Sequence, residues 1–294
     1  MQKKGQLTIF ITIGILILLS YFMMAYLSGE FSTSRKDTNT AVEANFDADI
    51  TTFQVYTRSV FEDAVYSSLI MWGASGGVNT RSSPLPYPVQ TFGDATNERT
   101  IAILLDEDGP VGNFKEKAIQ EDLRTILQST FNAKWDRGVF KQRGYELAMD
   151  SLPVANITAN QEGTTTFTLV PNFKMVRGPR ERSFAPISIQ LDIGIYDMVN
   201  EIDSFLSALD SDKSTEGHDL STYRPGNSHL RICSYNDNGV LAAGTGPCES
   251  TGEAKCSLIR FMYDAPLKRY STYRFDFLAQ KQVDDPEGDG SCTA

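Results

Sequence analysis

The sequence predicts an α+β protein, in which a long N-terminal helix able to cross a membrane precedes an extracellular body with a mostly antiparallel sheet. Three observations carry this. No charged residue occurs from Gly5 to Gly29, and Leu7 to Leu27 is a mostly apolar run of 21 residues. Apolar residues then recur at steps of three, four or seven, the period of an amphipathic helix. Beyond about residue 154, short alternating runs bounded by turn formers dominate, which is the pattern of strands. Helices first and strands afterwards is an α+β order.

The apolar run comes first. At about 1.5 Å per residue it reaches roughly 30 Å, the thickness of a bilayer core. A secretory signal peptide would have an apolar stretch of roughly 7–15 residues and a small-x-small cleavage site. This run is longer, and Ala25-Tyr26-Leu27 is a poor site. Lys3 and Lys4 precede the run, and Glu30 is the first charge after it. The positive-inside rule therefore predicts a cytoplasmic N-terminus, one span of the plasma membrane and an extracellular body. The expected divisions are a leader at 1–5, the transmembrane helix at 6–28, a linker and amphipathic helix at 29–78, the α+β body at 79–283 and an acidic tail at 284–294.

Residues 32–40 are polar and read either as a short linker or as a solvated continuation of the helix. From Ala41 the stripe Phe46, Ile50, Phe53, Val60, Ala64 and Met71 predicts a helix that Gly76-Gly77 terminates. Either the body's own sheet covers this stripe, the favoured reading, or it forms a seam between copies. Residues 79–98, with Pro84, Pro86 and Pro88, read as a loop. Ile101 to Leu105 reads as a strand turned by Asp106-Glu107-Asp108-Gly109. A helix is expected from Lys115 to Trp135, with Ala118, Ile119, Leu123, Ile126, Leu127 and Phe131 on one face. Phe140 to Leu152 reads as a further helix. Val154 to Ala159 and Thr164 to Val170 read as a hairpin. Ile187 to Tyr196 reads as a strand and Val199 to Leu209 as a short helix. Leu230 to Tyr235, Cys256 to Tyr263 and Thr272 to Leu278 read as late strands.

Composition bounds the function. The chain has 294 residues, 41% hydrophobic and 22% charged, which suits one or two folded domains. A formal net charge of −10 argues against nucleic acid as a partner, because phosphate binding needs clustered Lys and Arg. Cys233, Cys248, Cys256 and Cys292 are even in number and all lie in the last quarter of the chain. Outside the cell they predict two disulfides, with three pairings open. Cys233 with Cys256, on neighbouring late strands, is the favoured pair, leaving Cys248 to Cys292. Zinc is the rival, but no C-x-x-C occurs and neither His218 nor His229 has ligand spacing.

No catalytic constellation stands out, so no enzyme activity, cofactor or metal is expected. A Ser–His–Asp triad would need His218, in a loop by composition, or His229, and there is no G-x-S-x-G elbow. The acidic turns 106–109, 236–239 and 284–289 lack the spaced ligands of a calcium loop and read as ordinary turns. Asn156-Ile157-Thr158 is an N-glycosylation sequon. Lys174, Arg177, Arg180, Glu181 and Arg182 read as a solvated loop with a local ion pair, not as a site for an anionic polymer.

The start Lys3-Lys4-Gly5-Gln6-Leu7-Thr8-Ile9-Phe10 resembles the class III signal peptide of archaeal type IV pilins. It also resembles the start of membrane-anchored surface proteins of small-genome archaea. The Gly-rich turn Gly73 to Gly77, after the helical stretch that begins near Phe53, is similar to the one that follows in such proteins. The resemblance implies a prepilin-type leader peptidase that cuts between Gly5 and Gln6 and leaves the apolar helix on the mature chain. It further implies packing against copies of itself or other pilin-like subunits. Phe10 stands where bacterial pilins have Glu, and the body is large for a major pilin. The expected function is thus a cell-surface structural or adhesive subunit. The alternatives are a single-span ligand-binding or sensory ectodomain, which would usually have a cytoplasmic output domain, and an anchored enzyme.

Overall fold

The computed structural model describes residues 19–20, 23–24, 45–79, 85, 87–92, 99–106, 109–111, 114–159, 163–211, 218–219, 230–235, 248, 256–263, 272–280 and 283–284. The chain divides into two compact units, Met1–Val55 and Tyr56–Ala294. Among the described residues no helix is long and apolar enough to cross a membrane. The expected span at 6–28 lies outside them, apart from Leu19, Ser20, Met23 and Met24, which are helical.

Residues 45–74 form helix α1. There follow β1 (Val89–Phe92), β2 (Arg99–Asp106), β3 (Gly109–Pro110), α2 (Phe114–Lys117), a π-helical turn (Ala118–Leu123), α3 (Arg124–Lys134) and α4 (Gly138–Gln142). Next come β4 (Glu146–Met149), β5 (Val154–Ala159), β6 (Thr165–Val170), β7 (Phe173–Arg177), β8 (Arg180–Ser183), β9 (Ile187–Leu191) and α5 (Ile195–Ser211). The last elements are β10 (His218–Asp219), β11 (Leu230–Tyr235), β12 (Ser257–Tyr263), β13 (Tyr273–Ala279) and β14 (Val283–Asp284). The body is α+β, and its sheets are mostly antiparallel.

The main sheet has the order β1-β2-β13-β12-β11, with β3 paired to β2. Its pairs are antiparallel except β13 with β2. β13 lies at the centre and is buried along nearly its whole length, so both faces of the sheet must be covered. One face carries Phe261, Phe275 and Phe277, and helices pack there. Phe275 meets Trp72 of α1 edge-on at 5.0 Å and Phe114 of α2 at 5.9 Å, and Phe205 of α5 meets Phe261 at 5.5 Å. Each such ring pair contributes about 0.5–1.5 kcal/mol beyond its buried area. The other face carries Ile101, Ile103 and Leu278, and Cys248 and Cys256 cover them.

From Tyr56 onward α1 buries Phe61, Ala64, Val65, Ser68, Leu69 and Trp72, at helical spacing. The body's own core covers this face of the helix, but of the predicted stripe in this part only Ala64 is buried. Val60 and Met71 of the predicted stripe are only half-buried, and Phe61 and Trp72 face the core in their place. Gly76 and Gly77 end the helix as expected. Gly77 N–H donates to the Trp72 carbonyl at 2.9 Å and Gly76 N–H to Gly73 at 3.4 Å, with Gly76 at a φ of +75°. This is the closing pattern in which glycine takes the left-handed position at least cost.

A second core lies beneath the small sheets β4-β7-β8 and β5-β6-β9. Phe131 and Trp135 stack at 5.6 Å, Phe61 of α1 meets Phe131 at 5.9 Å, and Trp135, Phe140, Phe173 and Phe184 complete the cluster. The six predicted face residues of the helix expected at 115–135 are all buried. Its second turn is π-helical rather than α-helical.

Four local expectations differ from the structure. Residues 89–92, expected in a loop, form β1, because Val89–Phe92 pairs with β2 along its whole length. The helix expected over 140–152 stops at Gln142. Gly144 takes φ +76° and closes it by the same motif as at Gly76, and β4 begins after Tyr145. The strand expected at 187–196 ends at Leu191, and α5 begins at Ile195. The basic stretch at 174–182 is a hairpin, β7 and β8 joined by Gly178-Pro179, because Lys174 to Arg177 pair with Arg180 to Ser183. Its ion pair is as expected: Lys174 Nζ lies 3.1 Å from Glu181 Oε1.

Candidate functional site

A buried charge cluster lies at Asp276, on the second face of the main sheet. The side chain is 4% exposed. Directly across the ladder is Arg260, which donates from Nε to Oδ1 at 2.7 Å and from Nη2 to Oδ2 at 3.0 Å. Arg99 donates to Oδ2 as well and bonds the Ala74 carbonyl at 3.2 Å, tying the last turn of α1 to the sheet. Two guanidinium groups on one carboxylate satisfy its oxygens, and a buried charge needs this. On the opposite face Tyr273 donates from its hydroxyl to the Leu69 carbonyl at 3.0 Å. Burial, and then the Asp276 charge, push the Tyr273 pKa well above the ordinary tyrosine value. The arrangement clamps a helix to a sheet and leaves no oxygen of Asp276 free for chemistry.

A second buried acid sits in the π-helical turn. Asp122 is 8% exposed and accepts the Asn79 N–H at 3.2 Å. Burial raises its pKa most and Glu121 adds to this, while the Asn79 bond and Lys117 oppose it. The Tyr87 hydroxyl is buried and has no hydrogen-bond partner among the described residues. Its pKa is pushed up to about 12 by burial and by the Asp122 and Glu121 charges. Sequence reasoning missed both centres. Asp276 lies in a run of aromatic residues, Tyr273 to Phe277, and an acid there was the available signal for a buried pair.

Cys248 and Cys256 are disulfide-bonded to each other. This overturns the favoured pairing of Cys233 with Cys256 and Cys248 with Cys292. Neighbouring strands do not suffice, because Cys233 lies opposite Arg260 in the β11–β12 ladder, while Cys256 directly precedes β12. Cys233 is itself disulfide-bonded and fully buried. Cys292 lies outside the described residues. The Cys248 N–H donates to Gln90 Oε1 at 3.1 Å, which holds the bridge over Ile101, Ile103 and Leu278.

Gly5 and Gln6 lie outside the described residues, as does His229. His218, expected in a loop, has its backbone in the two-residue pairing of β10 with β14, with Val283 as its partner. Asp106 and Gly109 pair across the β2–β3 turn. Among the described residues no group of three His, Cys, Asp or Glu could hold a metal ion. Asn156 is exposed on β5.

No family model, no curated protein and no solved structure matches this chain.

Proposed function

We propose that this chain is a membrane-anchored cell-surface subunit of the type IV pilin kind, structural or adhesive in role and without enzymatic activity. Its leader is cut between Gly5 and Gln6, and the apolar helix then packs laterally against copies of itself or related subunits. The observation that carries this is the head Lys3-Lys4-Gly5-Gln6 set directly before an uncharged apolar run. Within that run Leu19, Met23 and Met24 are helical and 61%, 67% and 76% exposed. Large apolar side chains on a helix gain by burial in lipid or against another helix. The Cys248–Cys256 bridge suits an oxidising exterior better than a cytoplasm.

N-terminal sequencing of the native protein tests the reading. A start at Gln6, lost in Gly5→Leu while the protein still reaches the membrane, is the expected result. A start at Met1 or Gln2 would leave a plain signal anchor, and one near Ser28 a secreted protein. Protease added to intact cells should digest the body, and full protection of the body reverses the orientation.

A further inference from the structure

The sheet β5-β6-β9 has one buried face and one open one. Ala155, Ile157, Phe167, Leu169, Ile187, Ile189 and Leu191 point inward. The open face is a small lattice in register. Asn156 stands opposite Thr168, and Thr168 opposite Ser188; Thr158 stands opposite Thr166, and Thr166 opposite Gln190. Val154, 41% exposed, pairs with Val170 at one end. None of these side chains is ionisable, in a chain of formal net charge −10. The lattice is partly ordered within itself. Thr168 Oγ1 and Ser188 Oγ lie 3.2 Å apart, and Gln190 Nε2 donates to Thr164 Oγ1 at 3.0 Å.

Asn156 and Thr158, the two polar residues of the sequon, both stand on this face, side by side along an exposed strand. We propose that Asn156 carries an N-linked glycan whose first sugars lie on the open face of this sheet. The proposal rests on the external location of the body given above. The transfer joins Asn156 Nδ2 to the anomeric carbon of an oligosaccharide carried on a lipid-linked phosphate. The anomeric carbon–oxygen bond breaks, the phosphate leaves with the bonding pair, and the amide gives up one proton.

Size and charge select this occupant over a second copy of the chain. Three strands about 4.8 Å apart and three rows about 7 Å apart make a face of roughly 300 Å². A stable protein interface takes about 800 Å² from each partner. A few sugar rings fit the smaller area. Their neutral hydroxyls match a surface of hydroxyl and amide groups, and their C–H faces match Val154 and Val170.

The test uses the full-length protein purified from its native cells. Glycopeptide mapping should find Asn156 modified, and Asn156→Gln and Thr158→Ala should each abolish the modification. The glycosylated protein should melt at least about 2 °C above Asn156→Gln. In the Ser188→Ala/Gln190→Ala background that gap should fall by half or more. An unmodified Asn156 on a protease-accessible body overturns the proposal alone. An unmodified Asn156 on a fully protected body overturns the external reading and the proposal with it. A modified Asn156 with no melting gap, or with the same gap in both backgrounds, shows a glycan that does not touch the sheet and overturns the proposal.

Discussion

Gly73 packs tightly against the central strand of the main sheet, and Gly73→Ala tests how the body is held together. A Cβ there would run into the Arg274 carbonyl, closer than real Cβ contacts come, and would stand 2.8 Å from the Tyr273 hydroxyl. Neither obstacle gives way easily. The carbonyl belongs to the central strand, and the hydroxyl is held by the Leu69 carbonyl. The last turn of α1 must therefore lift. Overpacking of this kind costs about 1–3 kcal/mol. Breaking the Tyr273 bond leaves a buried hydroxyl unpaired, for about 1–3 kcal/mol more. Against this, alanine favours the helix by about 1 kcal/mol over glycine. The expected net loss is about 1–5 kcal/mol, a fall in Tm of roughly 2–20 °C for a body of this size. The assay is thermal unfolding of the full-length protein in detergent, followed by circular dichroism. Ile70→Ala, one turn away and 40% exposed in the wild type, should cost less than about 1 kcal/mol. A Gly73→Ala protein that melts within 1 °C of wild type, or above it, would refute the close-packed junction.

Asp276→Asn removes the charge that two guanidinium groups share. Arg260 is 15% exposed and loses its partner in a nearly dry site, whereas Arg99 is 42% exposed and recovers water. The expected loss is about 3 kcal/mol, with Arg99→Ala costing about 1 kcal/mol, both read from urea denaturation. Asp122 gives a pH dependence of opposite sign to that of a stabilising ion pair. Its folded pKa lies above the ordinary 3.8, so the folded state holds the proton more tightly than the unfolded one. Its contribution to stability is therefore greatest below 3.8 and declines as pH rises to the raised value. Melting temperatures of wild type minus Asp122→Asn should fall through that window, and a flat difference would count against the assignment. Mapping of non-reduced peptides should recover Cys248 joined to Cys256, with Cys233 joined to Cys292, the one cysteine left to it. A peptide joining Cys233 to Cys256 would refute this pairing. Deleting the Cys248–Cys256 bridge should cost roughly 2–4 kcal/mol.

Much of the fold was legible because its signals are local. The face Ala118 to Phe131 is a helix period read directly from the sequence, and all six residues are buried. The helix stop at Gly76-Gly77 and the hairpin β5–β6 rest on turn chemistry and on the alternation of apolar residues, which neighbours in sequence carry. The misread segments were those where the local signals are mixed and strand pairing decides. Val89–Phe92 is a strand because β2 pairs with it, and proline nearby hid this. Phe140 to Leu152 holds apolar residues that suit either a helix or a strand; the left-handed Gly144 and pairing with β7 settle it.

By itself the sequence determined the α+β class, the apolar run with its basic head, the sequon and the presence of four cysteines. All of these are matters of composition, period or spacing along the chain. Only the tertiary structure decided which cysteines meet, that Asp276 lies between Arg99 and Arg260, and that Tyr87 and Asp122 are buried near each other. It also decided that Asn156 stands in an uncharged lattice. Arg99 and Asp276 are 177 residues apart in sequence. No local pattern encodes such a meeting, because it depends on the order in which strands join a sheet and on the register they take.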